Sequence, residues 1–260
     1  MRHLLHLALL FGAGAGWAAS FPLIKVCANE AELPPFTFIE RHHGTPTGKI
    51  TGATVDLFER IAHKQGWRYQ VELLPWPRCL AYIHSGRFQV ALDVGGVQAS
   101  RNEYLSTPAY YQTHPLYFYS QRRRQEAPRI TTLRDLKHYR LCGLQGYLYE
   151  GYGLRSEEVD TGARSYSQLI AKLHLNRCDL FIEKREVIAG LYLIEPTVNK
   201  LLKEPDLLFQ ALPDSNGNSL HMIVSRQWPD SERFWRELSE GIQTGLKNKE
   251  MDGLLERYLP

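Results

Sequence analysis

Arg101 is the side chain of this sequence best suited to holding a small anion. Its guanidinium stays charged and presents a planar fork of donors that fits a carboxylate. It follows an apolar stretch at 88–94, Phe-Gln-Val-Ala-Leu-Asp-Val, which reads as a buried strand. The turn Ser106-Thr107-Pro108 and the phenols Tyr110 and Tyr111 come next. An arginine at the mouth of a sheet, then a turn and two tyrosines, suits a cleft that grips a small anionic molecule. Nucleophilic and metal chemistry have no such foothold. The chain has no Gly-x-Ser-x-Gly, no His-Glu-x-x-His and no phosphate-binding glycine loop. Its 10 histidines are scattered, none at a metal-ligand spacing. No catalytic residue, metal or cofactor is expected.

The elements that must position Arg101 follow an alternating order. Residues 23–28 read as a strand, and Val55, Phe58, Ile61 and Ala62 recur at helical spacing up to Gly66. Residues 69–74 alternate as a strand, Leu80 and Ile83 mark a short helix, and 88–94 closes a β-α-β-α-β unit. A similar unit follows: strands at 116–119, 140–144 and 178–182, with helices begun by Thr132 and by Ser165. A further strand at 221–225 and an amphipathic tail end the chain. Such an order implies α/β architecture with mainly parallel sheets flanked by helices. Two lobes are expected, 21–112 with 214–260 and 113–213, the tail returning to the first. Ligands of such sheets bind outside the carboxyl ends of the strands, here in the cleft between lobes.

The first residues set the compartment. A basic start, an apolar run at 4–15 and the small residues Ala18, Ala19 and Ser20 make 1–20 a cleaved secretory signal. No later stretch is long and apolar enough to cross a membrane. Export to the periplasm permits disulfides. Cys27, Cys79, Cys142 and Cys178 lack close Cys-x-x-Cys pairs, so they form one bridge per region or remain four buried thiols. With 43% hydrophobic residues, the chain can bury real cores. A net charge of +3 is too small for a dedicated nucleic-acid binder, and Arg122-Arg123-Arg124 reads as a solvated loop.

Ordered motifs along nearly the whole mature chain then resemble one family. Pro34-Pro35-Phe36-Thr37-Phe38 follows the first strand. Gly48-Lys-Ile-Thr-Gly52-Ala-Thr-Val-Asp56 opens the first helix. Trp76 to Gly86, Arg101 to Tyr111, Leu133-Arg-Asp-Leu136 and Cys142-Gly-Leu-Gln-Gly146 come in the same order. Together they resemble periplasmic solute-binding proteins of the polar amino-acid type, bacterial extracellular solute-binding family 3. The resemblance implies the two-lobed type II periplasmic-binding fold, closing by a hinge near 111–115 and 212–217. It implies Arg101 as the clamp for a ligand carboxylate, and Phe36 and Trp76 as stacking groups. The turn at Gly146 and Tyr147 would supply backbone N–H groups from a helix start. Where the family has an aspartate for the ligand ammonium, this chain has Glu183-Lys184. Lys184 stands nearest the aspartate's place; Glu183 replaces it only if the strand frame shifts by one. Arg101, Lys184 and Arg78 together would suit an aromatic, dicarboxylic or otherwise anion-rich ligand.

The implied partners are a small-molecule ligand and an inner-membrane ABC permease, served by a monomer. Sensing for a membrane receptor is an alternative. Another is a lyase similar to cyclohexadienyl dehydratase, with Arg101 on a carboxylate and Glu183 as general acid.

Overall fold

The computed structural model describes residues 21–122, 126–213 and 218–259. The secretory signal expected at 1–20, Arg123 and Arg124 of the expected solvated loop, and 214–217 of the expected second hinge lie outside the described residues. Two sheets dominate. The first runs Tyr69–Leu74, Ile24–Asn29, Val90–Gly95, Ser219–Ser225 and Tyr104–Ser106, with Tyr111–Gln112 also on Ser219–Ser225. The second runs Val159–Ala163, Leu141–Leu144, Leu180–Lys184, Pro115–Ser120 and Leu207–Ala211. In each, three strands are parallel, as the β-α-β-α-β reading requires. Antiparallel strands then extend each sheet on one side.

The first core forms because apolar residues at helical spacing meet apolar strand faces. Phe58, Ile61 and Ala62 of the helix Ala53–Gln65 pack with Val26, Val90 and Leu92. Phe234, Leu238 and Ile242 of the helix Ser231–Lys247 enter the same cluster. Burying each such side chain contributes about 1.5–3 kcal/mol. The second sheet has its own core, built around Phe118 and Phe181 stacked at 4.6 Å. A hairpin, Phe38–His42 with Thr45–Thr51, is an addition the apolar pattern does not announce, because its second strand is mostly solvent-exposed.

Both disulfide pairs form, Cys27–Cys79 and Cys142–Cys178, settling the choice between bridges and free thiols. The first ties the helix Trp76–His84 to the strand Ile24–Asn29, which fixes Trp76 beside the end of that strand. The start of the helix Ala53–Gln65 is equally constrained. Its Ala53 N–H donates to Pro35 O (2.8 Å) and its Thr54 N–H to Phe36 O (3.0 Å). That approach requires glycine at 52: its φ is 125°, and a Cβ there would stand 2.2 Å from the Phe36 carbonyl oxygen. The Pro-Pro-Phe motif and the glycine motif are thus two halves of one backbone contact.

Gly52→Ala should lower stability by roughly 2–4 kcal/mol, read as a falling urea midpoint; an unchanged midpoint contradicts the backbone contact. Reduction of the disulfides should cost about 2–4 kcal/mol each. Thermal melts with and without dithiothreitol check this, and coincident melts would remove the bridges from the account.

Candidate functional site

A cavity of about 140 Å³ lies where the carboxyl ends of the two sheets' parallel strands face each other. The first sheet contributes Ala28 and Asn29, then Leu92 and Asp93; the second contributes Lys184 and the segment around Tyr147 and Tyr152. Trp76 stands on the wall, positioned by its bridged helix. Tyr111 OH to Glu186 Oε1 (3.4 Å) and Tyr192 OH to Tyr258 O (2.6 Å) join the two sides, and three further contacts join them around the cavity. Asn29 Nδ2 donates to Gly146 O at 3.0 Å, Tyr147 OH donates to Glu32 O at 2.9 Å, and Arg101 Nη2 bonds Glu150 Oε2 at 2.9 Å.

Asp93 is the residue that the sequence reading passed over. Its strand pairs Val94 with His221 and Ala91 with Ile223, so Leu92 and Asp93 together oppose the single residue Met222. This is a β-bulge, and it changes which face each side chain meets. Ala91 and Val94 share one core while Val90 and Leu92 share the other. Asp93 itself takes φ 55°, the left-handed region that few residues other than glycine, asparagine and aspartate tolerate. Its carboxylate Oδ1 accepts hydrogen bonds from Tyr110 OH (2.6 Å) and Thr54 Oγ1 (2.7 Å). Oδ2 and the nearby Thr37 hydroxyl are both buried and make no well-formed hydrogen bond, although Thr37 stands close enough to ease the charge of Asp93; Thr37 is also a residue of the cavity wall. Burial raises the Asp93 carboxyl above the ordinary range; the hydroxyls of Thr37, Thr54 and Tyr110 and the charge of Lys184 offset part of that rise. An acid inside an otherwise apolar strand was the available signal.

On the opposite wall, Lys184 lines the cavity and Glu183 does not. Glu183 is 2% exposed and accepts from Tyr166 OH (2.7 Å) and from the Lys184 backbone N–H (2.7 Å). Burial works to lower the Lys184 ammonium, but Tyr152, Glu183 and Glu186 outweigh it and leave it raised. It is a cation at neutral pH. Burial first, and Glu183 second, hold the Tyr147 and Tyr166 phenols well above their usual range, so both keep their protons and donate.

Of the residues expected from sequence, Trp76, Tyr147 and Lys184 line the cavity. Arg101 does not. Its side chain is 44% exposed at the lip, where Glu150 of the other side takes its guanidinium. Phe36 is buried in the first core with its ring 5.4 Å from Tyr111. Arg78 is exposed on its helix, away from the cavity. Gly146 turns the chain at φ 82° and offers a carbonyl, not N–H groups, to Asn29. No α-helix begins there; the next helical turn is the 3-10 segment Glu150–Tyr152. Tyr149 folds back instead, its OH accepting from Leu144 N–H, over Gly143, where a Cβ would meet that hydroxyl at 2.3 Å. Among the described residues, no group of His, Cys, Asp and Glu could hold a metal ion, and no helix is long and apolar enough to cross a membrane.

Asp93 carries a stability signature. Its native pKa exceeds the unfolded value. Its contribution is therefore fully present below the ordinary aspartate range and is lost as pH rises through the native value. At neutral pH, Asp93→Asn in the ligand-free protein should raise the melting temperature, by about 2–4 °C for each kcal/mol of relieved desolvation. A fall of several degrees in calorimetry would instead make Asp93 a structural residue.

Solved structures share this architecture. The substrate-binding protein of an amino acid ABC transporter is 18% identical, with a TM-score of 0.66 over 91% of this chain and 99% of that one. A histidine kinase sensor domain with similarity to periplasmic binding proteins is 21% identical, with a TM-score of 0.65 over 91% and 96%. The GluR0 ligand-binding core in complex with L-glutamate is 14% identical, with a TM-score of 0.65 over 93% and 100%. The fold is the two-lobed type II periplasmic-binding fold. No curated protein matches the chain in sequence. The model of the bacterial extracellular solute-binding proteins, family 3, matches residues 24–260, and with the bulged strand, the facing sheets and the cavity between them the chain belongs to that family.

Proposed function

We propose that this protein is a periplasmic substrate-binding protein that captures a small carboxylate-bearing solute, an amino acid or a related compound, and delivers it to an ABC importer in the inner membrane. The observation that carries the reading is the cavity itself. Its wall draws on both sheets and combines rings and apolar side chains such as Trp76, Leu92 and Tyr152 with the cationic Lys184 and the acids Glu32, Asp93 and Glu150. Its volume is comparable to a protein cavity of ~150 Å³ that takes up benzene. The solute is accordingly a small one.

Lobes 21–112 with 214–260 and 113–213 close on it about the crossovers. The first crossover passes from Tyr111–Gln112 to Pro115–Ser120 through Thr113 and His114. Thr113 N–H and Oγ1 both donate to Asn218 O, at 3.0 and 2.7 Å, so the two connecting segments lie side by side. Paired segments of this kind can absorb a hinge rotation while the sheets move as rigid bodies.

A thermal-shift screen of amino acids, polyamines, opines and aromatic and dicarboxylic acids tests capture. A ligand at a hundredfold its Kd stabilises the native state by about 2.7 kcal/mol, a rise of roughly 5–10 °C for a chain of this size. Small-angle scattering should report a smaller radius of gyration with the same compound. Silence in both assays across the panel would overturn capture. Uptake of the compound that persists in cells lacking this chain would overturn delivery.

A further inference from the structure

Four charged side chains reach the cavity wall: Glu32, Asp93, Glu150 and Lys184. Two are already neutralised. Glu32 is bidentate with Arg41, at 2.6 and 2.9 Å, and also accepts from the Ile39 N–H. Glu150 holds Arg101 at 2.9 Å. The remaining two stand on opposite sheets. Asp93 ends with one carboxylate oxygen saturated by Tyr110 and Thr54 and the other without a hydrogen bond. Lys184 Nζ forms an ion pair with the buried Glu183 Oε1 at 3.7 Å, longer than a hydrogen bond, and stands 5.8 Å from the centre of the Tyr147 ring.

We infer that Asp93 and Lys184 are the two recognition charges of the site, so that the ligand lies with its cationic end against the first sheet and its carboxylate against the second. This is the reverse of the orientation in which Arg101, on the first sheet's side, would hold the carboxylate. The inference rests on the capture reading above and adds to it which group meets which end of the solute. A carboxylate without an ammonium would meet Lys184 but face Asp93 across a small cavity. An ammonium without a carboxylate would meet Asp93 but face Lys184. Only a molecule bearing both charges matches both walls, with Trp76, Leu92 and Leu220 against the carbon frame between them. The bulge is what makes the assignment specific. Without the extra residue in Val90–Gly95, the acid would follow the regular alternation of its strand; with it, Asp93 reaches the cavity wall.

Titration calorimetry on the full mature protein tests the assignment. The probes are the L-amino acids, β-alanine and γ-aminobutyrate, each with its des-amino acid and its amine as single-charge partners. For the zwitterion that binds wild type most tightly, Lys184→Met and Asp93→Asn should each weaken binding tenfold or more. Arg101→Ala, which touches only the lip, should weaken it two- to fivefold. Removing the amino group from the probe should erase the effect of Asp93→Asn, and removing the carboxylate should erase that of Lys184→Met. Lys184→Arg keeps the charge and should retain affinity within about fivefold, which separates charge from folding; Lys184→Gln serves if Lys184→Met fails to fold. Tenfold losses at Arg101 with none at Lys184 would overturn the reversed orientation and leave capture standing. Tight binding of a dicarboxylate or a simple acid, with no zwitterion bound, would do the same. If no probe here binds wild type while the wider thermal-shift panel yields a ligand, this assignment fails and capture stands.

Discussion

A buried carboxyl within an apolar strand is the constraint around which this cleft is organised. Moving such a group out of water costs several kcal/mol unless its lone pairs are met. The chain meets that cost with hydroxyls from two places, and a third segment shapes the bulge that holds the acid. Thr54 comes from the first turn of a helix whose start is pinned by the Pro35 and Phe36 carbonyls. Tyr110 comes from the segment that leads to the first crossover, and its ring sits in the first core. Met222, the single residue opposite the bulge, belongs to a strand supplied by the carboxyl-terminal third of the chain. The geometry of one acid therefore depends on distant segments having folded onto the same sheet. Strained φ and an unsatisfied carboxylate oxygen are what a native state retains at a place kept for binding rather than for stability.

The contacts that join the two sides differ in kind, and their strengths decide what can move. Arg101 and Glu150 are 44% and 40% exposed. Pairs so wet contribute only about 0.2–1 kcal/mol. The Asn29 and Tyr147 hydrogen bonds add roughly 0.5–1.5 kcal/mol each. A sum of that size lets thermal motion separate the lips, because a few kcal/mol still leaves a populated minor state. A ligand bridging both walls contributes to the closed form alone, and only such differential affinity shifts the balance. Near the crossover the ties are stronger. Thr113 N–H and Oγ1 both donate to Asn218 O, at 3.0 and 2.7 Å, and the buried Glu186 accepts from Tyr111 OH at 3.4 Å. Gly190 stands so close to Pro34 and Pro35 that a Cβ would meet backbone atoms at 2.8 and 2.9 Å. The asymmetry, loose at the lips and tight near the hinge, is what a clamshell requires.

Much of this was legible in the sequence, and the boundary between legible and hidden is physical. The helix Ala53–Gln65 could be read because its apolar spacing and its closing Gly66 are local signals, and Gly66 does take the left-handed cap at φ 68°. Ser165 was readable as a helix start, and its Oγ accepts from Gln168 N–H. Position alone narrowed one wall to Glu183 or Lys184, and only the strand's frame puts Lys184 on the cavity. The strand Leu207–Ala211 was hidden because most of it faces solvent and shows no apolar alternation. The 3-10 segment after Gly146 was hidden because the fold-back of Tyr149 depends on the missing side chain of Gly143. Arg101 was readable as an arginine at a strand end, but its direction was not. Its partner Glu150 lies across the cleft, and no local pattern couples residues on different sheets.

Asp93 and Arg101 are best understood together. With an acid on the wall of the first sheet, a free guanidinium in the same half of the cavity would pair with it and fill the space intended for a solute. Arg101 instead leaves by way of the short helix Gly96–Ala99, which carries it out to the lip and to Glu150. On the other wall an acid facing Asp93 would repel it across the small cavity, whereas Lys184 attracts it and lowers its pKa from what burial alone would set. The position of each charge thus constrains the others. An acid at the bulge disfavours a cation beside it on its own wall, and it favours the lysine opposite. The two walls of the cavity present side chains of opposite charge to each other.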